Sequence, residues 1–228
     1  MKTEVDVPGE GVCMVMAYTS QNPSFIEMAR YSVGVNSEYC RKHRYGFRLY
    51  TSGFAMDRHP SWSKLLFVQD AIMDYPWVFW IDTDAIVTNP NIRLRRFIDD
   101  KYMLVVGKQN WFDPPWNSVN FGVFLMKNDP DVKTFCSRVW EDISRPGREG
   151  WEQDGVRMCI ENEPFKSKVK TVCRREFNSV VAHYSLGITA GFNSETEAWH
   201  KGDFVAHYGW RRTDTLEAMK VTMAECSK

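Results

Sequence analysis

Apolar residues along this chain fall into short unbroken runs separated by stretches of helical spacing. Residues 12–18 are continuously apolar, the pattern of a strand buried on both faces. Ser24, with Glu27 three positions on, has the form of a capping box. Phe25, Met28, Ala29, Val35, Tyr39 and Cys40 follow on one helical face, and Gly46 is expected to end that helix. A strand is expected over 47–51. Trp62, Leu65, Leu66, Ile72 and Met73 then predict a second helix, halted at Pro76. Short apolar runs at 77–81, 103–107 and 121–126 predict three more strands. Asp129 and Pro130 suit the cap and first turn of a helix that turns Val132, Phe135, Cys136, Val139, Trp140 and Ile143 inward. Two further helices are expected over 152–160 and 214–223.

Strands alternating with helices predict an α/β domain with a mainly parallel sheet flanked by helices. Such sheets bind ligands at the carboxyl ends of their strands, which is where chemistry is to be sought. The 228 residues fit a single domain, 1–228, long enough to bury a core without disulfide staples. Six cysteines include no CxxC pair, so no zinc spacing appears and reduced thiols are expected.

Charge narrows the partners. With 29 basic and 29 acidic side chains the formal net charge is zero, so nothing argues for nucleic acid or an anionic membrane. The first twenty residues lack the form of a signal peptide, and no run approaches the ~20 apolar residues of a membrane span. A cytoplasmic location is the simplest expectation. The alternative is a soluble lumenal domain of a Golgi enzyme with its anchor removed.

The candidate chemistry lies at Asp82-Thr83-Asp84, directly after the apolar run 77–81. In extended backbone, residues two apart point the same way, so both carboxylates can share one cation. Hard oxygen ligands suit Mg²⁺ or Mn²⁺, which also take substrate phosphates. Taken alone, the tripeptide also describes a solvated turn, and its place behind a buried strand is what favours a metal.

Around this point the chain resembles glycosyltransferase family 34 and, more distantly, family 8. The resemblance is carried by Trp62-Ser-Lys64-Leu-Leu, by the segment from Phe79 through Asp82-Thr83-Asp84 to Val87 with Asn89-Pro90, and by Asn120-Phe-Gly122. Glu152-Gln153-Asp154 and Phe204-Val-Ala-His207-Tyr208-Gly209 continue it in order, so that it spans roughly residues 12–212. These families contain retaining galactosyl-, mannosyl- and xylosyltransferases of the GT-A fold, and large algal viruses encode soluble GT-A enzymes. The resemblance therefore implies the GT-A fold and transfer of a sugar from a nucleotide diphosphate, UDP above all, to a glycan or glycoconjugate hydroxyl.

It further implies His207 as a third ligand beside Asp82 and Asp84 for Mn²⁺, with Mg²⁺ as the other option. Gln153 or Asp154 would lie against the anomeric carbon. Tyr18 and Thr19 fall at the nucleotide-base position. Lys64 and Arg211 are candidates to hold the diphosphate, and Thr83, Asn120 and Gly209 to line the donor. Departures are the missing anchor, Asp154 where a small residue is expected, and a segment around Trp111, Phe112 and Trp116 rich in Trp and Pro, expected to bear on the acceptor. Two other functions remain open at this level. One is a haloacid-dehalogenase-type phosphatase with Asp82 as nucleophile, although Ile86 stands where such enzymes favour Thr or Val. The other is a carbohydrate-binding relative without turnover.

Overall fold

A computed structural model describes residues 5–19, 23–109, 118–141, 152–181, 195–209 and 214–228. The elements are β1 (Val5–Val7), β2 (Val12–Ala17), α1 (Pro23–His43), β3 (Gly46–Tyr50), α2 (Lys64–Ala71), β4 (Trp77–Ile81) and β5 (Ala85–Val87). They continue as β6 (Leu104–Gln109), β7 (Ser118–Lys127), α3 (Val132–Glu141), α4 (Glu152–Ile160), β8 (Val169–Val172), α5 (Arg174–Phe177), β9 (Ser179–Val180), β10 (Val205–His207) and α6 (Thr215–Cys226). Among the described residues no helix is long and apolar enough to cross a membrane.

Local differences from the expected pattern have simple causes. Helix α1 starts at Pro23, whose fixed φ suits a first turn, while the Ser24 side chain lies outside the described residues. The helix is left through Arg44, at φ 60°, and not through Gly46. Gly46 instead opens β3, where a Cβ would fall 2.6 Å from the Tyr75 hydroxyl. Its glycine answers a close approach, not a helix stop. Trp62 belongs to a 3₁₀ turn ahead of α2, and Ile143 lies outside the described residues.

Seven strands form the central sheet in the order β1-β3-β2-β4-β7-β6-β8. Parallel pairing joins β3 to β2, β2 to β4, and β6 to β8. The sheet is nonetheless mixed, because β7 runs antiparallel to both β4 and β6, and β1 antiparallel to β3. The chain between β6 and β7 is too short for the crossover of a dozen or more residues that parallel strands need, so β7 returns antiparallel.

The unbroken apolar character of β2 and β4 follows from burial on both faces. Cys13, Val15, Val78 and Trp80 join one cluster with Leu65, Phe67 and Val68 of α2, Phe135 of α3 and Val156 of α4. Met14, Met16, Phe79 and Ile81 alternate into a second cluster with Tyr39 and Cys40 of α1, Phe97, Phe177 and Phe204. Burying a Phe or Leu side chain contributes about 1.5–3 kcal/mol, so strand alternation alone holds β2 and β4 at the centre. All six cysteines are free thiols, and Cys13, Cys40 and Cys136 are buried.

A second sheet, β5-β10-β9, leaves the main one at the end of β4. Between Asp82 and Ala85 the backbone closes a turn, with the Ala85 N–H donating to the Asp82 carbonyl at 3.0 Å. This redirects the chain into β5, which pairs antiparallel with β10 so that His207 stands opposite Ala85.

Candidate active site

That register brings a histidine more than a hundred residues away to the Asp-x-Asp turn. One ligand atom from each of Asp82, Asp84 and His207 lies within 4.8 Å of the others. The two carboxylates converge across a turn and not along an extended strand, so the route differs from the one expected while the convergence remains. The turn is pinned from both sides. Asp82 N–H donates to the Gly122 carbonyl at 2.8 Å, and Tyr208 N–H to the Asp84 carbonyl at 2.8 Å.

Gly122 is the glycine that this site requires. A Cβ there would stand 2.4 Å from His207 Cε1 and 2.9 Å from Asp82 Oδ2. It reaches the site because β7 bulges. The β6–β7 register pairs Val106 with Phe124 but Gly107 with Asn120, leaving residues 121–123 unmatched on that side. Such a bulge re-aims local groups, here Asn120 and the Gly122 backbone.

Asp82 rests against a charged wall. Trp80 Nε1 donates to its Oδ1 at 2.6 Å, and Lys64 Nζ lies 3.1 Å from Oδ1. The Lys64 ammonium also contacts Glu152 Oε1 at 2.6 Å and the Phe121 carbonyl at 3.1 Å. Lys64 is only 3% exposed and Glu152 5%. Burial works against the Lys64 ammonium, but Asp82 and Glu152 outweigh it and hold its pKa well above the ordinary value. Burial is also the largest influence on Asp82, whose pKa is raised with Asp84 adding to it. For Asp84, burial is outweighed and the pKa lowered only when His207 is protonated and faces it as a cation. Nε2 of His207 lies 3.3 Å from Asp84 Oδ1.

His207 rests against a neutral wall. Its Nδ1 lies 3.0 Å from Asn178 Oδ1, Asn178 Nδ2 donates to Asn120 Oδ1 at 2.7 Å, and Asn120 Nδ2 donates to Gln109 Oε1 at 3.0 Å.

The other expected residues are placed as follows. Gln153 lies in the first turn of α4, and its Oε1 accepts from the Phe121 N–H at 3.0 Å. The Asp154 side chain makes no hydrogen bond or ion pair among the described residues. Tyr18 and Thr19 lie half-buried just past β2, which runs parallel to β4, so they lie at the same sheet edge as Asp82. Thr83 is buried within the turn. Gly209 backs onto His207, its Cβ position 3.6 Å from Nε2. Arg211, Trp111, Phe112 and Trp116 lie outside the described residues.

Lys64 departs from expectation. Its ammonium is enclosed by Asp82, Glu152 and Phe121, so it braces Asp82 and does not stand open to a diphosphate. Asn120 likewise has its carboxamide occupied by Asn178, Gln109 and the Gly122 N–H.

Three residues escaped sequence reasoning. Glu152 reads along the chain as a favourable charge at a helix N-terminus, and only the packing of α4 on β7 buries it. Asn178 follows the one-turn helix α5, and Gln109 closes β6. Neither has a local pattern that marks it.

Comparison with known proteins adds a partial family likeness and a fold. Residues 10–110 match the galactosyl transferase GMA12/MNN10 family. The chain is 30% identical over 141 residues to galactomannan galactosyltransferase 1 of Cyamopsis tetragonoloba, covering 58% of this chain and 31% of that protein. It is 20% identical to an uncharacterized alpha-1,2-galactosyltransferase of Schizosaccharomyces pombe, over 82% of this chain and 64% of the other. The chain thus spans about a third of the first of these relatives. Among solved structures, a glycosyltransferase involved in glycosylation of the major capsid of PBCV-1 superposes with a TM-score of 0.66 at 17% identity, covering 92% of this chain and 98% of that one. Galactosyltransferase LgtC, in complex with donor and acceptor sugar analogs, gives 0.53 at 15% identity over 95% and 96%. The fold is that of the GT-A glycosyltransferases. The family match takes in Lys64, Asp82 and Asp84 but stops short of Gln153 and His207.

Proposed function

We propose that this chain, a GT-A-fold relative of the galactosyl transferase GMA12/MNN10 family, is one glycosyltransferase domain that uses a divalent metal. It would move a sugar from a nucleotide diphosphate, UDP in our reading, to a saccharide hydroxyl. The observation that carries this is the convergence of Asp82, Asp84 and His207 at the carboxyl end of β4. Two hard carboxylates with one imidazole fit Mn²⁺ best and Mg²⁺ second. The fit is supported by Gly122, whose missing side chain lets backbone, carboxylate and imidazole close on one another. When bound, the ion supplies neutralisation of the charge that develops on a diphosphate leaving group.

The chain's own residues do the rest. Asp82 is held by Trp80 and Lys64, so its carboxylate direction is set before any ligand arrives. Gln153, anchored through its amide oxygen to β7, is assigned to the anomeric carbon. Asp154, adjacent on the helix and so turned about 100° away, is assigned to a sugar hydroxyl. Tyr18 and Thr19 would meet the base, Thr83 and Gly209 would line the donor, and Arg211 would hold the diphosphate. Lys64 and Asn120 are reassigned from donor contact to support of Asp82 and His207. Retention of anomeric configuration follows from the family resemblance, with the leaving phosphate taking the acceptor proton.

The phosphatase reading fits less well, because the solved structures that share this fold are glycosyltransferases. A binding protein without turnover is separated by experiment. Purified protein should release nucleotide from one member of a nucleotide-sugar panel only with Mn²⁺ or Mg²⁺, and NMR of the first transfer product should show the donor's configuration. Near-normal turnover in Asp82→Asn or Asp84→Asn would sink the metal assignment, and an inverted product would remove the role of Gln153.

A further inference from the structure

The hydrogen bonds behind His207 form a chain whose direction is set by one backbone group. The N–H of Gly122 can only donate, and at 3.1 Å it meets one end of the Asn120 carboxamide, which is thereby the oxygen. At 2.7 Å the same oxygen meets one end of Asn178, which must then be the NH₂ group. The other end of Asn120 is its NH₂, accepted by Gln109 Oε1 at 3.0 Å. The remaining end of Asn178 is its oxygen, and it stands 3.0 Å from His207 Nδ1. An oxygen there needs a donor, so Nδ1 carries the hydrogen, and in the neutral imidazole the lone pair is therefore on Nε2. Reversing any one carboxamide would set donor against donor or oxygen against oxygen in a buried place, at a cost of about 1–3 kcal/mol for each unmet group.

We infer that the Gly122 N–H selects the tautomer of His207 through Asn120 and Asn178, and that Asn178 is a positioning residue of the metal site. The inference rests on the reading of His207 as a ligand, and it adds which nitrogen binds and what makes it so. Asn178 is suited to the task. It is fully buried, its N–H donates to the Arg174 carbonyl at 2.7 Å, and its carbonyl accepts from Arg174 Nε at 3.2 Å. Nε2 meanwhile faces Asp84 Oδ1 at 3.3 Å. A bare lone pair opposite a carboxylate is an arrangement that a cation between them relieves. Metal-bound imidazoles generally donate their other N–H to an oxygen that fixes the ring, and here a neutral carboxamide takes that place.

The test does not need turnover. In metal-free protein labelled with ¹⁵N-histidine, at alkaline pH where imidazoles are neutral, long-range ¹H–¹⁵N correlation should show the His207 proton on Nδ1. Asn178→Leu should move it toward Nε2 and weaken Mn²⁺ binding, followed by calorimetry, about 10–100-fold. Asn178→Asp loses the amino group that meets Asn120 Oδ1 but keeps an acceptor for Nδ1 and should keep the Nδ1–H form, so the test stands even if the leucine variant does not fold. Wild-type protein with the proton on Nε2 overturns the inference, whatever its affinity for Mn²⁺. Wild-type protein with Nδ1–H and no Mn²⁺ binding supports the tautomer chain and removes the metal reading instead.

Discussion

The two walls of the site are built from opposite chemistry. Behind Asp82 stand a buried ammonium, a buried carboxylate and an indole N–H. Behind His207 stand three carboxamides without formal charge. The difference follows from what each side chain has to be. A carboxylate that is only partly solvated needs positive charge nearby to stay ionised, and Lys64 supplies it. A histidine that is to offer a lone pair has to stay neutral, and carboxamide dipoles orient it without adding charge. Lys64 in turn has three N–H donors to satisfy in a buried place, and Asp82, Glu152 and the Phe121 carbonyl take them.

Both walls meet at Gly122, so the largest effect is expected there. Gly122→Ala would place a methyl group 2.4 Å from His207 Cε1 and 2.9 Å from Asp82 Oδ2. With the backbone held to Asp82, the site has to open, and Mn²⁺ binding measured by calorimetry should fall below detection. Overpacking of this kind destabilises by about 1–3 kcal/mol, so circular dichroism should still report a folded protein. An alanine variant that binds Mn²⁺ normally would break the idea that the walls are coupled through this residue.

The charged wall should prove more costly to breach than the neutral one. Lys64→Met leaves Glu152 buried and unpaired, for an expected loss of about 3–5 kcal/mol in urea unfolding. Adding Glu152→Leu should recover much of it, because an apolar pair of similar volume is tolerated where one buried charge is not. Asn178→Leu should cost only about 1–3 kcal/mol, the desolvation of neutral partners left unmet. Equal losses for Lys64→Met and Asn178→Leu would erase the distinction.

Gln153→Ala tests whether α4 contributes to catalysis as well as to the charged wall. We expect kcat to fall by about 10²-fold with little change in donor affinity, the signature of a lost transition-state contact. Asp154→Asn should chiefly raise KM. The reverse pattern would assign the anomeric carbon to Asp154.

The smallest effect concerns an ion pair that water reaches. Asp129 accepts from the Asp131 N–H at 3.0 Å and lies 3.1 Å from Lys168. Burial is outweighed by these two partners, and its pKa is lowered. A depressed carboxylate contributes stability that is complete above the ordinary carboxylate range and is lost as pH falls through the depressed value. Asp129→Asn should therefore cost no more than about 1 kcal/mol at neutral pH and flatten the stability curve below about pH 4. A loss as large as that of Lys64→Met would mean that burial is not what separates the two pairs.

What could be read along the chain was whatever burial or local geometry writes into neighbouring residues. β2 and β4 are unbroken apolar runs because both faces are covered, and Asp82 with Asp84 is a local pair. The antiparallel return of β7 and the bulge that delivers Gly122 depend on pairing between distant strands. Gly46 looked like a helix stop because the Tyr75 ring that requires it is far off in sequence. Lys64 looked like a phosphate ligand because its burial appears only once α2, β4 and α4 pack together. Glu152, Asn178 and Gln109 carry the two walls, yet each takes its meaning from partners more than ten residues away.

The central claim is that Asp82, Asp84 and His207 hold a divalent ion that in turn holds a nucleotide diphosphate. Calorimetric titration of UDP into the protein, with and without Mn²⁺ and repeated with Asp84→Asn, tests it most directly. We expect binding to wild-type protein only when Mn²⁺ is present, and none to the folded Asp84→Asn variant under the same conditions. UDP binding of equal strength with and without Mn²⁺, or undiminished in Asp84→Asn, would contradict the account.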